Sequence, residues 1–297
     1  MASRRNFALT GTAIAICLGA TACVPTAIVS PSSRSGSYID KTLGTVSIAS
    51  YQKVSAVLNF TDATARLPLS PVSLQTDKIA ALTQHAIAIL TDRCMAEAGF
   101  AELSSSVEWN WNGEENRTFG QWDVAAAKKY GFLPNPTRAI PTVDTGSQTP
   151  AYLATLPNCA EKALAPIRDD LVFLQDTGNI DYEIYSAAYD ATLASADGRA
   201  ALAERAACLH KNQIEVDPRT HGPVDGYLRQ SQIVQIHAAT IYAQCSIKTG
   251  TIRVLFDLDA KYEAAYMAKN ASAIAKLNVR RTEIEKKMTG IVDGALV

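Results

Sequence analysis

Apolar residues recur at helical spacing along most of this chain. Ile79, Leu82, Ala86, Ile89 and Leu90 fall on one helical face, which predicts a helix opening at Asp77 as its N-cap. That helix carries Cys94 in its last turn and stops at Gly99. A glycine there supplies the left-handed residue that ends many helices, and it puts Met95 and Phe100 at the two positions that touch in a Schellman motif. A shorter helix follows from Val124, capped by Thr118 with Gln121 or by Asp123 alone, and ends at Gly131-Phe132. Further helical patterns cover 159–175, with Pro166 as a kink or restart, then 180–194, then 199–212 with Cys208. Ser195-Ala196-Asp197-Gly198 reads as the turn or N-cap before the last of these. From Tyr227 a long helix passes Cys245, with a kink expected at Thr249-Gly250-Thr251. Leu255, Leu258, Tyr262 and Tyr266 continue its apolar stripe, and Asn270-Ala271-Ser272 separates a last helix bearing Ile274, Leu277, Ile284, Met288 and Ile291.

The remaining stretches break this pattern. Residues 133–150 hold Pro134, Pro136, Pro141 and Pro150 and read as an irregular loop, as does 217–226. The segment 43–69 is ambiguous: Thr45-Val46-Ser47-Ile48 alternates like a short strand, whereas Val54, Val57 and Leu58 suit a helical turn. Taken together, the fold class is all-α, an irregular and predominantly helical bundle. It occupies 43–297 as a single extracytoplasmic domain, with two halves at 43–178 and 179–297 as the alternative division.

The first residues follow a different logic. Arg4 and Arg5 precede an apolar run from Phe7 to Gly19, and the run ends in Ala20-Thr21-Ala22. This is the pattern of a secretory signal over residues 1–22. Ser3-Arg4-Arg5-Asn6-Phe7 also resembles a twin-arginine signal, an ordinary basic n-region being the alternative. Ala20-Thr21-Ala22-Cys23 resembles a bacterial lipobox, with Ala20 where Leu is usual, so Cys23 is the expected lipidation site. Acyl chains there would hold the protein on the outer face of a membrane. Residues 24–40 are rich in Ser, Pro and Gly, making 23–42 a lipid-attached flexible tether. Without lipidation the protein is secreted.

Composition adds limits and the cysteines add a framework. The 297 residues are 47% hydrophobic and 19% charged, too apolar for a disordered chain. The net charge is −1, and −3 once Arg4 and Arg5 leave with the signal, so no nucleic-acid partner is announced. Cys17 leaves with the signal too. Cys94, Cys159, Cys208 and Cys245 remain, and four cysteines in an exported chain imply two disulfides. Sequential pairing, Cys94–Cys159 and Cys208–Cys245, closes the shortest loops. A zinc site competes poorly, because no C-x-x-C or H-x-x-x-H pair is present.

Little else reads as chemistry. No G-x-S-x-G, phosphate-binding glycine loop, EF-hand or dinucleotide fingerprint occurs, so no catalytic residue, metal ligand or cofactor is assigned. His85 sits on the polar side of its helix and is expected in solvent, while His221 in the 217–226 loop is the one histidine at a plausible rim. Glu114-Glu115 and Asp169-Asp170 are adjacent acids, which diverge on a helix and read as surface charge. Trp109 and Trp111 offer two ring faces in a loop and, with His221, form the candidate binding surface for a cell-envelope protein or glycan. The alternative is that the tryptophans plug the core beneath the loop.

Several of these segments together resemble a group of uncharacterised actinobacterial secreted proteins and lipoproteins. The match runs through the lipobox-like signal, Arg93-Cys94-Met95-Ala96-Glu97-Ala98-Gly99-Phe100, Phe119-Gly120, Ala127-Lys128-Lys129-Tyr130-Gly131-Phe132 and Asn158-Cys159-Ala160-Glu161-Lys162-Ala163. It continues in Ala207-Cys208-Leu209 and Gln244-Cys245. The resemblance covers most of 67–291 and implies a helical, disulfide-braced domain without bringing an activity. The chain departs from it at Leu209 and Asn212, where Met and Gly are usual. A faint internal echo also links Cys94 and Cys208, each near a helix end.

The expected function is that of a cell-envelope lipoprotein, a non-enzymatic binding or structural protein outside the membrane. The competing class is a secreted cell-wall-modifying hydrolase with a site built from distant loops.

Overall fold

The computed structural model describes residues 43–74, 76–102, 107, 109, 115–136, 148–217, 227 and 229–294. These residues form helices and one two-stranded sheet. In chain order they are β1 (Val57–Asn59), β2 (Thr64–Arg66), α1 (Asp77–Glu97), α2 (Val124–Tyr130), α3 (Pro150–Leu164), α4 (Arg168–Gln175), α5 (Ile180–Ala194), α6 (Ala196–Lys211), α7 (Gln232–Lys248), α8 (Thr251–Lys269) and α9 (Ala271–Val292). The all-α class holds, and so do both disulfides.

Four helix starts trace to one side-chain oxygen each. Thr76, not Asp77, caps α1 by accepting from Ile79 N–H; Asp77 is the first helical residue. Asp123 alone caps α2, accepting from Ala126 N–H at 2.8 Å. Thr149 caps α3 by accepting from Tyr152 N–H, and Pro150 takes the first turn, where its missing N–H costs nothing. The loop expected to run through 150 therefore ends one residue earlier, and α3 begins nine residues before the expected 159. Pro166 is a restart: it lies in a 3-10 turn, Ala165–Ile167, between α3 and α4. Ser195 Oγ accepts from Gly198 N–H, so α6 opens at Ala196 rather than Arg199. The expected kink at 249–251 is a full break. Gly250 has φ +70°, and Thr251 starts α8. Likewise α7 starts at Gln232, five residues after Tyr227.

The ambiguous N-terminal segment resolves as neither alternative. Thr45–Ile48 is not a strand, and Val57 and Leu58 are strand rather than helix. Residues 57–59 pair antiparallel with 64–66 in the register Val57–Arg66, Leu58–Ala65 and Asn59–Thr64. Asp62 Oδ1 accepts from both the amide and the hydroxyl of Thr64, which closes this small hairpin.

Two helix ends share one construction. At the end of α1, Phe100 N–H donates to Met95 O and Gly99 N–H to Ala96 O, with Gly99 at φ +86°. This is the expected Schellman motif, and Met95 and Phe100 share a core cluster with Cys159. At the end of α6, Ile214 N–H donates to Leu209 O and Gln213 N–H to His210 O, with Gln213 at φ +60°. The second cap is thus intact: Leu209 stands for Met95, Ile214 for Phe100, and Gln213 rather than Asn212 takes the glycine's place. The partner helices match too. Tyr152, Leu156 and Cys159 on α3 and Ala238, Tyr242 and Cys245 on α7 have the same 4-3 spacing and pack under their respective caps. The internal echo therefore extends over two disulfide-linked helix pairs, α1–α3 and α6–α7.

Elements from both 43–178 and 179–297 share the core. Ala86, Ile87 and Ile167 cluster with Ile284, Met288 and Ile291. Trp122 and Phe119 cluster with Ile252, Leu255 and Phe256. Helix α8 runs through the centre, with ten of its residues buried.

Candidate functional site

Residues 43–74 form a strap laid across α8 and α5, with one 3-10 turn, Ala49–Tyr51, and the short hairpin as its regular structure. Side chains of those helices hold its backbone. Asp257 Oδ1 accepts from Ala56 N–H at 3.0 Å, and Arg253 donates to Ala56 O at 3.1 Å. Glu263 Oε2 accepts from Leu69 N–H at 2.8 Å. Lys269 donates to Leu43 O, and Asp181 on α5 accepts from Leu74 N–H at 2.7 Å. Leu43 and Leu69 then fill a cluster with Ile184, Ala188 and Tyr266. Because backbone groups of an irregular segment have no ladder of their own, the carboxylates accept from its N–H groups and the cations donate to its carbonyls.

Beneath the strap lies an acid pair. Asp259 and Glu263 are one turn apart on α8, with exposures of 0% and 1%. Neither oxygen of Asp259 has a hydrogen-bond partner. Burial holds Asp259 well above the usual carboxylate range, with the Glu263 charge adding to the effect. Burial also pushes Glu263 up to about 7, against the Leu69 N–H, which pulls it down. Tyr185 on α5 feels both carboxylates. Burial is the main cause that raises its hydroxyl, and its hydrogen bond with Thr118 works the other way.

A buried cation lies elsewhere in the core. Arg205 on α6 is 2% exposed, donates to Phe119 O at 2.7 Å and stacks 4.8 Å from the Tyr242 ring. Burial lowers its pKa.

Cys23, Trp111 and His221 lie outside the described residues. Trp109 stacks on His85, ring centroids 4.3 Å apart and nearly parallel. His85 is therefore not simply solvated: it is half-buried, and that burial lowers its pKa. Trp122 is the tryptophan that plugs the core, fully buried between Phe60 and Phe256. Asp169 is exposed as expected, but Asp170 is not surface charge: it is buried and paired at 2.7 Å with both Arg280 and Lys287. His210 and His237 are exposed.

The acid pair has a signal in the sequence, carried by spacing rather than by a motif. Ile252, Phe256, Asp259, Glu263 and Tyr266 follow a 4-3-4-3 spacing. That is a buried helical seam with two acids in core positions.

Two open grooves flank α6. One of about 400 Å³ lies against α8 and is edged by Asp197, Glu204, Asp257 and Lys261. The other, about 320 Å³, is edged by Arg199, Arg205 and His210. Among the described residues no helix is long and apolar enough to cross a membrane, and no group of His, Cys, Asp and Glu is arranged to hold a metal ion. No family model matches the chain, and neither a curated protein nor a solved structure matches it.

Proposed function

We propose that this protein is a cell-envelope lipoprotein, exported, lipidated at Cys23 and carried on the outer face of the membrane as a non-enzymatic binding or structural domain. The observation that carries the reading is the pair of disulfides, Cys94–Cys159 and Cys208–Cys245, each joining a helix end to the neighbouring helix. Such bonds persist in oxidising compartments and are rare in a reducing cytosol. They agree with the signal-like residues 1–22 and the lipobox-like Ala20-Thr21-Ala22-Cys23. The binding or structural role is supported by where this polar chemistry goes: Glu263, Asp257 and Asp181 each commit one oxygen to a strap amide.

Fractionation of the producing cells, comparing wild type with Cys23→Ser, tests this reading. The expected result is wild type in the membrane fraction, digested by protease added to whole cells, and Cys23→Ser released from the membrane. Equal solubility of the two, or protection of the wild type inside the cell, overturns it.

A further inference from the structure

We propose that Asp259 and Glu263 form a proton-operated latch, in which ionisation of the second carboxyl releases the 43–74 strap from α8 while the helical body stays folded. The geometry supplies each part. Both carboxyls are fully covered and sit one turn apart, so two negative charges there would face each other without water between them. Glu263 has a donor, Leu69 N–H, and a single charge on it strengthens that bond. Asp259 has none for either oxygen, so its ionisation is compensated by nothing in the closed arrangement.

Relief requires water, and the strap is the least costly cover to lift. Its polar fixings to α8 run from side chains to irregular backbone, and its apolar ones are the single side chains Leu43, Ala56, Ala63, Leu67 and Leu69, whereas α5 and α8 are full helices packed along their length. Segments of that kind open locally at lower free energy than packed helices. The remaining titratable groups around the pair do not replace the missing donor. From α5, Tyr185 is the group that feels both carboxylates, with Tyr182 beside it; Tyr189 neighbours Tyr185 and, beyond it, Asp190 and the Arg205 of α6, which is held by Phe119 O and the Tyr242 ring of α7. Tyr266 lies on α8 itself, facing Tyr262 and Asp190. On the strap side the Leu69 amide meets Glu263.

The proton passes to water, and no other reactant is needed. Where the chain is held by its N-terminus, release would also lengthen the connection to the helical body, since 32 residues fully extended span about 100 Å in all. That consequence rests on the anchoring proposed above; the latch does not.

Amide hydrogen exchange on the whole purified chain at pH 6 and pH 9, corrected for intrinsic rates, tests the latch. Peptides covering 54–72 should lose protection at least tenfold between the two, while peptides covering 274–291 keep theirs. Asp259→Asn, which retains the Glu263–Leu69 bond and removes the second charge, should abolish the loss; Glu263→Gln should reduce it. The latch is overturned by a wild-type strap whose protection does not change, by strap and α9 losing protection together, or by an Asp259→Asn strap that opens as wild type does. Failure of Cys23 to carry lipid would leave every one of these outcomes unaltered.

Discussion

At the residue scale, single atoms decide. A Cβ on Gly198 would sit 2.0 Å from Thr192 O, which no side-chain carbon tolerates. Gly198→Ala should therefore lower stability by about 1–3 kcal/mol, read from urea unfolding. Gln213 makes the opposite case, an ordinary residue held at φ +60°. Gln213→Gly should raise stability by about 0.5–1 kcal/mol, since the left-handed conformation costs glycine nothing. The acid pair makes stability pH-dependent with a definite sign. A carboxyl whose pKa rises on folding favours the folded state fully below its unfolded value near 4.5 and loses that contribution as pH climbs. For Glu263 the window runs from about 4.5 to about 7 and is worth on the order of 3 kcal/mol. Across that window the melting temperature of wild type should fall relative to Glu263→Gln.

At the element scale, the disulfides and the matched caps carry the fold. The loops they close span 65 and 37 residues. In the chain-entropy model each contributes about 4 kcal/mol, the longer loop slightly more. Replacing Cys94 and Cys159 together by Ala should thus cost at least as much as replacing Cys208 and Cys245, with midpoints compared in urea without reductant. Much of this level was legible in the sequence. Cys94-Met95-x-x-x-Gly99-Phe100 announces its cap because glycine marks the left-handed residue. The second cap was hidden because Gln213 carries no such mark, and its closure depends on Leu209 and Ile214 being buried by α7. The hairpin at 57–66 was hidden for a related reason. Three-residue strands have too little periodicity to register, and this pair is set by Asp62 and by packing on α8. The 4-3-4-3 spacing puts Asp259 and Glu263 on a core seam, but it is the packing of the strap, α5 and α6 around α8 that covers both carboxyls.

At the scale of the whole molecule, the strap joins the N-terminal region to the helical body, and the fate of that region decides the biology. The helical core, the paired disulfides and the latch beneath the strap would serve a secreted domain and a tethered one alike. Cys23 distinguishes them. Mass spectrometry of the mature N-terminal peptide from producing cells is the most direct measurement. The expected result is a chain that begins at Cys23 and carries acyl chains on that residue. A mature chain that begins elsewhere, or an unmodified Cys23, would contradict it.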